Sequence, residues 1–171
     1  MLDPNMVAAA EKMVLPGVGA FRDAIACLRE TKLDAPIVEH IRRGKPFFGI
    51  CIGMQVLFET SEEDPSKRGL GVFPGSVRRI PAAPGLKIPH MGWNRTRRGP
   101  AKTDVLADTP DGTFFYFVHS YYPHPARAED AARRWEPLAR KNPQPLSRLP
   151  RRRRPEAAPR RFAHLRGAAE A

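Results

Sequence analysis

The segment from Lys45 to Glu59 constrains the fold more than any other part of the chain. It begins as a short apolar run of strand composition, passes through Gly-Ile-Cys-Ile-Gly, and then changes to helical spacing, with Met54, Leu57 and Phe58 on one stripe. A glycine on each side of a cysteine lets the chain turn sharply between a strand and a helix, which is the cysteine form of a nucleophile elbow. The sequence therefore predicts that Cys51 is an exposed nucleophile and not a buried core cysteine.

The residues around this cysteine predict how its chemistry would be supported. The helix expected after the turn would aim its free N–H groups and positive dipole end at the sulfur and favour the thiolate. The N–H of Ile52 would then face the oxyanion that forms on an attacked carbonyl. A second loop of exposed N–H groups is predicted at residues 16–19, beyond a short strand at residues 12–15. Acyl transfer needs a second oxyanion donor of this kind.

The order of elements predicts an α/β fold. Two amphipathic helices, with apolar stripes over residues 21–28 and 37–41, separate the strand at residues 12–15 from the strand that enters the elbow. This order is typical of a crossover unit in a parallel sheet. Beyond the elbow, two short strands are expected around a Pro-Gly turn within residues 71–80. A loop is expected at residues 88–94 and an aromatic strand at residues 113–118.

Composition separates the chain into two parts. The formal charge is +11, but residues 1–122 hold 16 Lys and Arg against 13 Asp and Glu, whereas residues 123–171 hold 13 against 5. The basic character therefore belongs mainly to the second part. Two cysteines are too few for a disulfide framework and favour a reducing, cytoplasmic setting. The sequence contains no signal peptide and no apolar run of about 18 residues, so no membrane span is predicted.

Four stretches of the sequence together resemble one enzyme family. They are Leu-Pro-Gly-Val-Gly-Ala-Phe at 15–21, Gly-Ile-Cys-Ile-Gly-Met-Gln-Val-Leu-Phe-Glu at 49–59, Ile-Pro-His-Met-Gly-Trp-Asn at 88–94 and Tyr-Phe-Val-His-Ser-Tyr at 116–121. The second stretch resembles the nucleophile segment of triad (class I) glutamine amidotransferases. The four in this order resemble the glutaminase subunit of imidazole glycerol phosphate synthase, from histidine biosynthesis.

The resemblance implies a flavodoxin-like domain, with a mostly parallel sheet and flanking helices. Residues 1–122 would form an incomplete copy of it, because the family's first strand, glycine-rich loop and first helix do not precede residue 12. The resemblance also implies a partner, a (β/α)8-barrel cyclase subunit that forms a heterodimer with the glutaminase. In the family the stretch at residues 88–94 lies near the docking surface, although a loop packed over a sheet edge explains it equally well.

The resemblance assigns roles to individual residues. Cys51 would attack the side-chain amide of glutamine, and no metal or organic cofactor is needed for that step. The oxyanion donors would be the N–H of Ile52 and one N–H from Gly17, Val18 or Gly19, with Val18 the first choice. The residues that contact the bound glutamine would be Gln55, Ser120 and Tyr121.

Residues 123–171 change the character of the chain. Arg, Ala, Pro and Gly make up 32 of these 49 residues, and Val, Ile, Thr, Met, Cys and Tyr are absent. Such a composition predicts a disordered tail without strands. The His-Pro-Glu motif that would supply the general base and its orienting carboxylate is not present, and His124, His164, His40, His90 and His119 do not stand in that context. Because the commonest residue types of this span apart from Leu have codons that begin with two G or C bases, we hypothesise that the gene has a high G+C content and is read out of frame after about Tyr122.

Three functions remain open at this point. The first is a glutaminase subunit that passes ammonia to the cyclase, which makes imidazole glycerol phosphate and an aminoimidazole carboxamide ribotide. The second is a catalytically dead fragment that at most docks on the cyclase. The third is a basic binding protein defined by the run Arg151–Arg154. No aromatic stacking pattern accompanies that run, so the sequence does not favour a dedicated nucleic-acid site.

Overall fold

A computed structural model describes residues 3–82, 86–101 and 106–135, and the side chain of Trp135 is not among the described parts. The helices are α1 (Pro4–Ala9), α2 (Phe21–Glu30), α3 (Asp34–Arg42) and α4 (Ile52–Gln55). The strands are β1 (Met13–Gly17), β2 (Phe47–Cys51), β3 (Phe58–Ser61), β4 (Phe73–Arg79), β5 (His90–Arg98), β6 (Phe114–His119), β7 (Tyr121–Pro125) and β8 (Arg133–Trp135). A 3-10 turn covers Ala128–Asp130.

The first half of the chain forms the predicted crossover unit. Strands β1 and β2 pair in parallel, from Met13 opposite Phe47 to Gly17 opposite Cys51, and helices α2 and α3 connect them. Helix α2 buries the predicted stripe of Phe21, Ile25 and Leu28. The parallel pairing brings the carboxyl ends of both strands to the same edge of the sheet, and ligands bind at this edge in open α/β folds.

The core lies between this unit and the start of the second half. Its buried members are Phe21, Ile25, Leu28, Ile37, Phe47, Ile52, Val56, Leu57, Phe58 and Val77. The α/β class is confirmed, and of the three described sheets one is parallel, one is antiparallel and the sheet of β3, β4 and β7 is mixed. Strand order is β1-β2, β3-β4-β7 and β6-β5-β8, with β1-β2 and β3-β4 parallel and the other three pairs antiparallel. Among the described helices, none has the length and apolar character that crossing a membrane would require.

The helix after the elbow is shorter than its periodicity predicts. It ends at Gln55, and Phe58 begins strand β3 instead of completing the apolar stripe. The N–H groups of Val72 and Phe73 donate to the carbonyl of Leu57, at 2.8 and 3.1 Å, and so draw the chain into the second sheet. Pairing with β4 overrides the local helical spacing here.

The Pro-Gly pair within β4 is a kink inside one strand, not the predicted turn between two strands. Gly75 has φ of +127°, and a Cβ there would lie 2.4 Å from the carbonyl oxygen of His124 on β7. The Glu59 carboxylate accepts a hydrogen bond of 3.0 Å from the Gly75 N–H. Glycine therefore permits a close approach of two strands, so the strand continues where a turn was expected.

The stretch at residues 88–94 is also not the predicted loop from His90 onward. It forms the start of β5, which pairs antiparallel with the aromatic strand β6, with Trp93 opposite Tyr116 and Met91 opposite Val118. Alternate residues of β5 are buried, namely Asn94 and Thr96, and their neighbours face outward. The prediction of a strand at residues 113–118 is confirmed by β6.

The expectation that nothing after Tyr122 is packed is wrong for residues 123–135. Strand β7 continues to Pro125, and β8 pairs with β5 from Arg133 opposite Arg98 to Trp135 opposite Thr96. Ala131, Ala132 and Arg133 are buried. Antiparallel pairing with β5 supplies the backbone partners, so β-branched side chains are not required for this short strand. The remaining part of the predicted tail, residues 136–171, lies outside the described residues.

Candidate active site

The backbone of Cys51 has the conformation of a nucleophile elbow. Strand β2 ends at this residue, where φ is +54° and ψ is −120°, and helix α4 begins at the next one. An L-residue rarely adopts such a positive φ, which costs of order 1–3 kcal/mol, and such residues cluster at functional sites. The cysteine is exposed and has a free thiol. The predicted exposure of Cys51 at the strand end therefore matches the geometry.

Two glycines around the cysteine allow the elbow to pack against its neighbours. A Cβ on Gly53 would lie 1.8 Å from the carbonyl oxygen of Leu15 on β1, and one on Gly49 would lie 2.7 Å from the Cα of Met54. Real Cβ atoms do not approach backbone atoms so closely. Both positions consequently require glycine because of direct backbone contact, and the contact of Gly53 presses the elbow against the neighbouring strand.

The predicted oxyanion loop lies directly beside Cys51. Gly17, the last residue of β1, is the parallel partner of Cys51, and a Cβ on Gly17 would lie 2.9 Å from the N of Gly53. The loop then continues through Val18, which is 93 % exposed, and Gly19, which has φ of +93°. The register therefore brings Gly17, Val18 and Gly19 to the same sheet edge as the thiol.

Helix α4 contributes less electrostatic support than its sequence suggests. It has four residues, so only a few peptide dipoles are aligned toward Cys51. Its first N–H groups, starting with Ile52, lack partners within the helix because every helix leaves its first turn unpaired. The Ile52 side chain is buried in the core. Helix α4 can therefore stabilise an anion at the sulfur by local hydrogen bonds, but it is too short to have a large macrodipole.

Gln55 lies one helical turn beyond the nucleophile and carries an unusual polar atom. The residue is buried, and its Oε1 has no hydrogen-bond partner among the described residues. A buried acceptor without a partner costs about 1–3 kcal/mol, so such atoms are rare in native proteins. Gln55 therefore has a buried acceptor available four residues after Cys51, and its contact with glutamine stays a prediction.

Ser120 and Tyr121 are less closely tied to the nucleophile. Ser120 lies between β6 and β7, where its carbonyl accepts from the Ile80 N–H at 2.9 Å. Tyr121 starts β7 and packs against the core that also contains Ile52. Among the hydrogen bonds of the described residues, none joins either side chain to Cys51. Their predicted contact with glutamine stays a prediction.

The described histidines do not hydrogen-bond to the Cys51 thiol. His40 is buried on α3, and its Nε2–H donates to the carbonyl of Pro46 at 2.9 Å. His119 faces His90 across the β5–β6 pair, with ring centroids 5.8 Å apart. Burial lowers the pKa of His119, and the charge of a protonated His90 would lower it further. Within the described part of the chain, no three His, Cys, Asp or Glu side chains are grouped as a metal site would need.

Comparison with known proteins identifies the family to which this chain belongs. A family model described as "Glutamine amidotransferase class-I" matches residues 5–153. The chain belongs to the class I glutamine amidotransferases. The match continues past Tyr122, where the composition changes.

Three similar relatives share a single subunit description within the amidotransferase family. The chain is 50 % identical over 127 residues to the protein "Imidazole glycerol phosphate synthase subunit HisH" of Moorella thermoacetica, covering 74 % of this chain and 59 % of that protein. The proteins of the same description from Desulfitobacterium hafniense and Methylococcus capsulatus are 51 % identical over 119 residues and 46 % identical over 136 residues. These two alignments cover 70 % and 76 % of this chain and 55 % and 62 % of the relatives. The chain thus spans less than two thirds of the length of these relatives.

A solved structure supports the fold of the amidotransferase domain. The chain superimposes with a TM-score of 0.51 and 17 % sequence identity on a structure described as "Crystal structure of glutamine amidotransferase", covering 73 % of this chain and 59 % of that one. At this identity the likeness concerns the fold alone.

The amidotransferase chain also has an exposed apolar face on β5 and β6. Met91 and Trp93 are 63 % and 41 % exposed, and their partners Val118 and Tyr116 are both 57 % exposed. The rings of Trp93 and Tyr116 meet edge to face with centroids 5.6 Å apart. We call these four residues the aromatic face. Contiguous exposed apolar side chains are one feature by which interaction surfaces are recognised.

Sequence reasoning missed three acidic side chains just beyond the elbow, of which only Glu63 reaches the end of the loop beside Cys51. Glu59, Glu62 and Glu63 lie just beyond the elbow, and each carboxylate accepts a hydrogen bond from a backbone N–H far along the chain, those of Gly75, Arg79 and Phe21. The run Ser-Glu-Glu-Asp has the composition of a solvated loop. No local pattern indicates which distant N–H group each carboxylate reaches.

Proposed function

We propose that this chain is the nucleophile-bearing part of the glutaminase subunit of an imidazole glycerol phosphate synthase. The observation that carries the proposal is the positive φ of Cys51 in parallel register with Gly17, because it puts a thiol and a loop of N–H groups at one sheet edge. The identity of about 50 % to proteins of that description supports the choice among class I amidotransferases.

The chemistry begins with attack by the Cys51 sulfur on the side-chain carbonyl carbon of glutamine. The carbonyl oxygen becomes an oxyanion, which the N–H groups of Ile52 and of the loop residue Val18 would stabilise, with Gly17 and Gly19 as the alternative donors. As the oxyanion collapses, the carbon–nitrogen bond breaks and the nitrogen leaves as ammonia after gaining one proton. Water then hydrolyses the thioester to glutamate and restores the thiol. Gln55, Ser120 and Tyr121 would hold the substrate.

Proton transfer is the step that this chain does not supply with a matching motif. A triad needs a general base and acid, and its loss typically removes several powers of ten in rate. Because the sequence has no His-Pro-Glu motif, we expect glutamine hydrolysis by this chain to be undetectable or nearly so, even with a cyclase present. We therefore propose that this chain binds glutamine beside Cys51 but does not hydrolyse it at a measurable rate.

The proposed partner is a cyclase subunit, which would bind through the aromatic face. Aromatic residues, Met and Arg are enriched at protein interfaces, and Arg95 extends this face with its guanidinium 5.2 Å from the ring centroid of Phe114. Ammonia would pass from the glutaminase to this partner. The two free cysteines agree with a reducing cytoplasmic setting, which we propose as the location.

Covalent labelling tests the glutamine site without requiring turnover. A chloroketone analogue of glutamine should modify Cys51 at a saturable rate that free glutamine lowers, as measured by intact-protein mass and peptide mapping. Cys27 is an exposed free thiol on α2 and serves as the internal control. Iodoacetamide, which has no glutamine shape, should modify both thiols without saturation, and glutamine should slow it at Cys51 but not at Cys27. Labelling of Cys51 that glutamine does not lower would refute the proposed site.

The alternative is a catalytically dead chain that only docks on the cyclase, and the missing His-Pro-Glu motif favours it. Two measurements together distinguish a glutaminase from a dead chain that only docks: binding to a relative's cyclase subunit, and labelling of Cys51 with the chloroketone. The double variant Trp93→Ala/Tyr116→Ala should abolish binding, whereas Phe48→Ala, which removes a similarly exposed aromatic ring from β2, should leave binding unchanged. Docking without glutamine-protected labelling supports the dead chain, and failure of the wild-type chain to bind any cyclase contradicts the proposed partner.

A further inference from the structure

The loop beside Cys51 is held at two points, and between them the only hydrogen bond of its backbone among the described residues is that of the Ala20 carbonyl, which accepts from the Ala24 N–H at 3.1 Å. Its first point is Gly17, fixed by the β1–β2 register and by its close approach to Gly53. Its second point is Phe21, which begins α2 and is fully buried. Only Val18, Gly19 and Ala20 lie between, and a Cβ added to Gly19 would meet nothing within 4 Å.

The second point has an unusual cap. Helix α2 begins after Ala20, which cannot cap it with a side chain. Instead the Phe21 N–H donates a hydrogen bond of 2.8 Å to Oε2 of Glu63, from a residue 42 positions away. A carboxylate that accepts from the first N–H of a helix makes a charge-assisted bond and also complements the helix dipole. Glu63 thus does the work of an N-cap residue from another part of the chain.

Glu63 is itself held in place. Its N–H donates to the hydroxyl of Ser61 at 3.2 Å, and Ser61 is buried at the end of β3. Strand β3 follows the elbow directly through α4. The carboxylate therefore connects the segment after the nucleophile to the end of the loop before α2.

We infer that Glu63 is a positioning residue for the oxyanion donor, because it fixes the end of the loop from Gly17 to Ala20 relative to the Cys51 elbow. The inference rests on the proposed function, because only a glutaminase would use the loop as an oxyanion donor. If Glu63 is removed, the start of α2 loses its cap and the loop gains freedom, although the thiol and the strand pairing stay in place. An oxyanion donor that moves by about 1 Å can lose about 100-fold in rate.

Three variants test this inference. Glu63→Ala removes the acceptor, and Glu63→Gln keeps a neutral amide oxygen that can accept from the same N–H. Glu62→Ala is the matched control, because the neighbouring Glu62 carboxylate makes a bond of the same 2.8 Å length to the Arg79 N–H, away from the loop. Circular dichroism and thermal unfolding establish that each variant is folded.

Amide hydrogen exchange is the first measurement, and it does not depend on glutamine chemistry. Exchange of the Phe21 N–H, which is bonded to the Glu63 carboxylate, should rise about tenfold in Glu63→Ala and stay close to wild type in Glu63→Gln and Glu62→Ala. Unchanged exchange in Glu63→Ala would overturn the inference, and so would an equal rise in Glu62→Ala, which would indicate general loosening.

Labelling with the chloroketone of glutamine is the second measurement. Glu63→Ala should lower the maximal labelling rate of Cys51 about tenfold, leave the half-saturating concentration unchanged, and leave the iodoacetamide rate unchanged. Glu63→Gln should restore most of the rate. A changed half-saturating concentration with an unchanged maximal rate would mean that Glu63 contacts the ligand, and would overturn the positioning role. If the wild-type chain shows no glutamine-protected labelling, the proposed function fails, and the exchange data alone decide whether Glu63 fixes the loop.

Discussion

The strain at Cys51 can be measured by comparing two small substitutions at the same position. Cys51→Ala keeps a Cβ at φ of +54° and ψ of −120°, whereas Cys51→Gly removes it. The strain of such a conformation costs about 1–3 kcal/mol, and glycine costs about 0.4–1 kcal/mol through the greater freedom of the unfolded chain. Since the cysteine side chain is exposed, both variants lose little packing. We therefore expect Cys51→Gly to be more stable than Cys51→Ala by about 1–2 kcal/mol.

Cys27 provides the matched control because it lies within helix α2, where no such strain exists. There Cys27→Gly should be less stable than Cys27→Ala by about 1 kcal/mol, since glycine is a poor helix former. Urea unfolding of the four variants, followed by far-ultraviolet circular dichroism, gives both differences. The test is the opposite sign of the glycine effect at the two cysteines. A Cys51→Gly variant that is no more stable than Cys51→Ala would refute the strained elbow.

Three further predictions concern stability and protection. Gly53→Ala should destabilise the fold by about 2 kcal/mol or more in urea unfolding, because the added Cβ would lie 1.8 Å from a backbone oxygen of β1. Gly92→Ala is the control and should be nearly neutral, because its added Cβ would lie 3.8 Å from the closest atom, on the His90 ring. Burial lowers the pKa of His119 below its ordinary value of 6.5, and the unfolded chain then binds more protons, so the free energy of unfolding should fall as the pH falls through 6.5. This slope, measured by urea titration at several pH values, should be weaker in His119→Gln, and an unchanged slope would assign it to other groups such as His90. Limited trypsin digestion should leave Arg133 uncleaved, since it is 1 % exposed and bonded to carbonyl oxygens, and early cleavage there would contradict the packing of β8.

The parts of the fold that follow from local physical chemistry were predictable from the sequence. The α2 stripe, the parallel pair around it and the aromatic strand β6 all have patterns that match their burial. The same holds for the elbow, because two glycines flanking a cysteine leave few other conformations. Each of these predictions depends on residues close together in the chain.

The parts that failed depend on distant partners. Phe58 has helical spacing but joins β3 because Leu57 accepts hydrogen bonds from residues 72 and 73. The Pro-Gly pair in β4 reads as a turn, yet Gly75 is needed for the approach of β7. Arg133 belongs to a span whose composition predicts disorder, but its guanidinium donates to Thr96 and to carbonyl oxygens of the turn before β6. Composition gives no information on such individual contacts.

The candidate site divides in the same way. The exposure of Cys51 at a strand end and the position of the loop at residues 17–19 were predictable because each has a glycine pattern of its own, whereas their catalytic roles stay predictions. Glu63 was not, because its importance depends on a hydrogen bond to an N–H 42 residues away. The position of Ser120 and Tyr121 relative to the nucleophile depends on how the second half of the chain packs, which local patterns do not determine.

The pairing of Gly17 with Cys51 has a consequence for how this sequence can vary in length. Successive residues of a strand point to opposite faces, so inserting or deleting one residue within β1 or β2 would turn the loop at residues 17–19 away from the thiol and reverse the burial of the whole strand. The loops that precede these strands are free of that constraint. Natural length variation should therefore be absent between residues 13 and 17 and between residues 47 and 51, and should begin only outside these two segments.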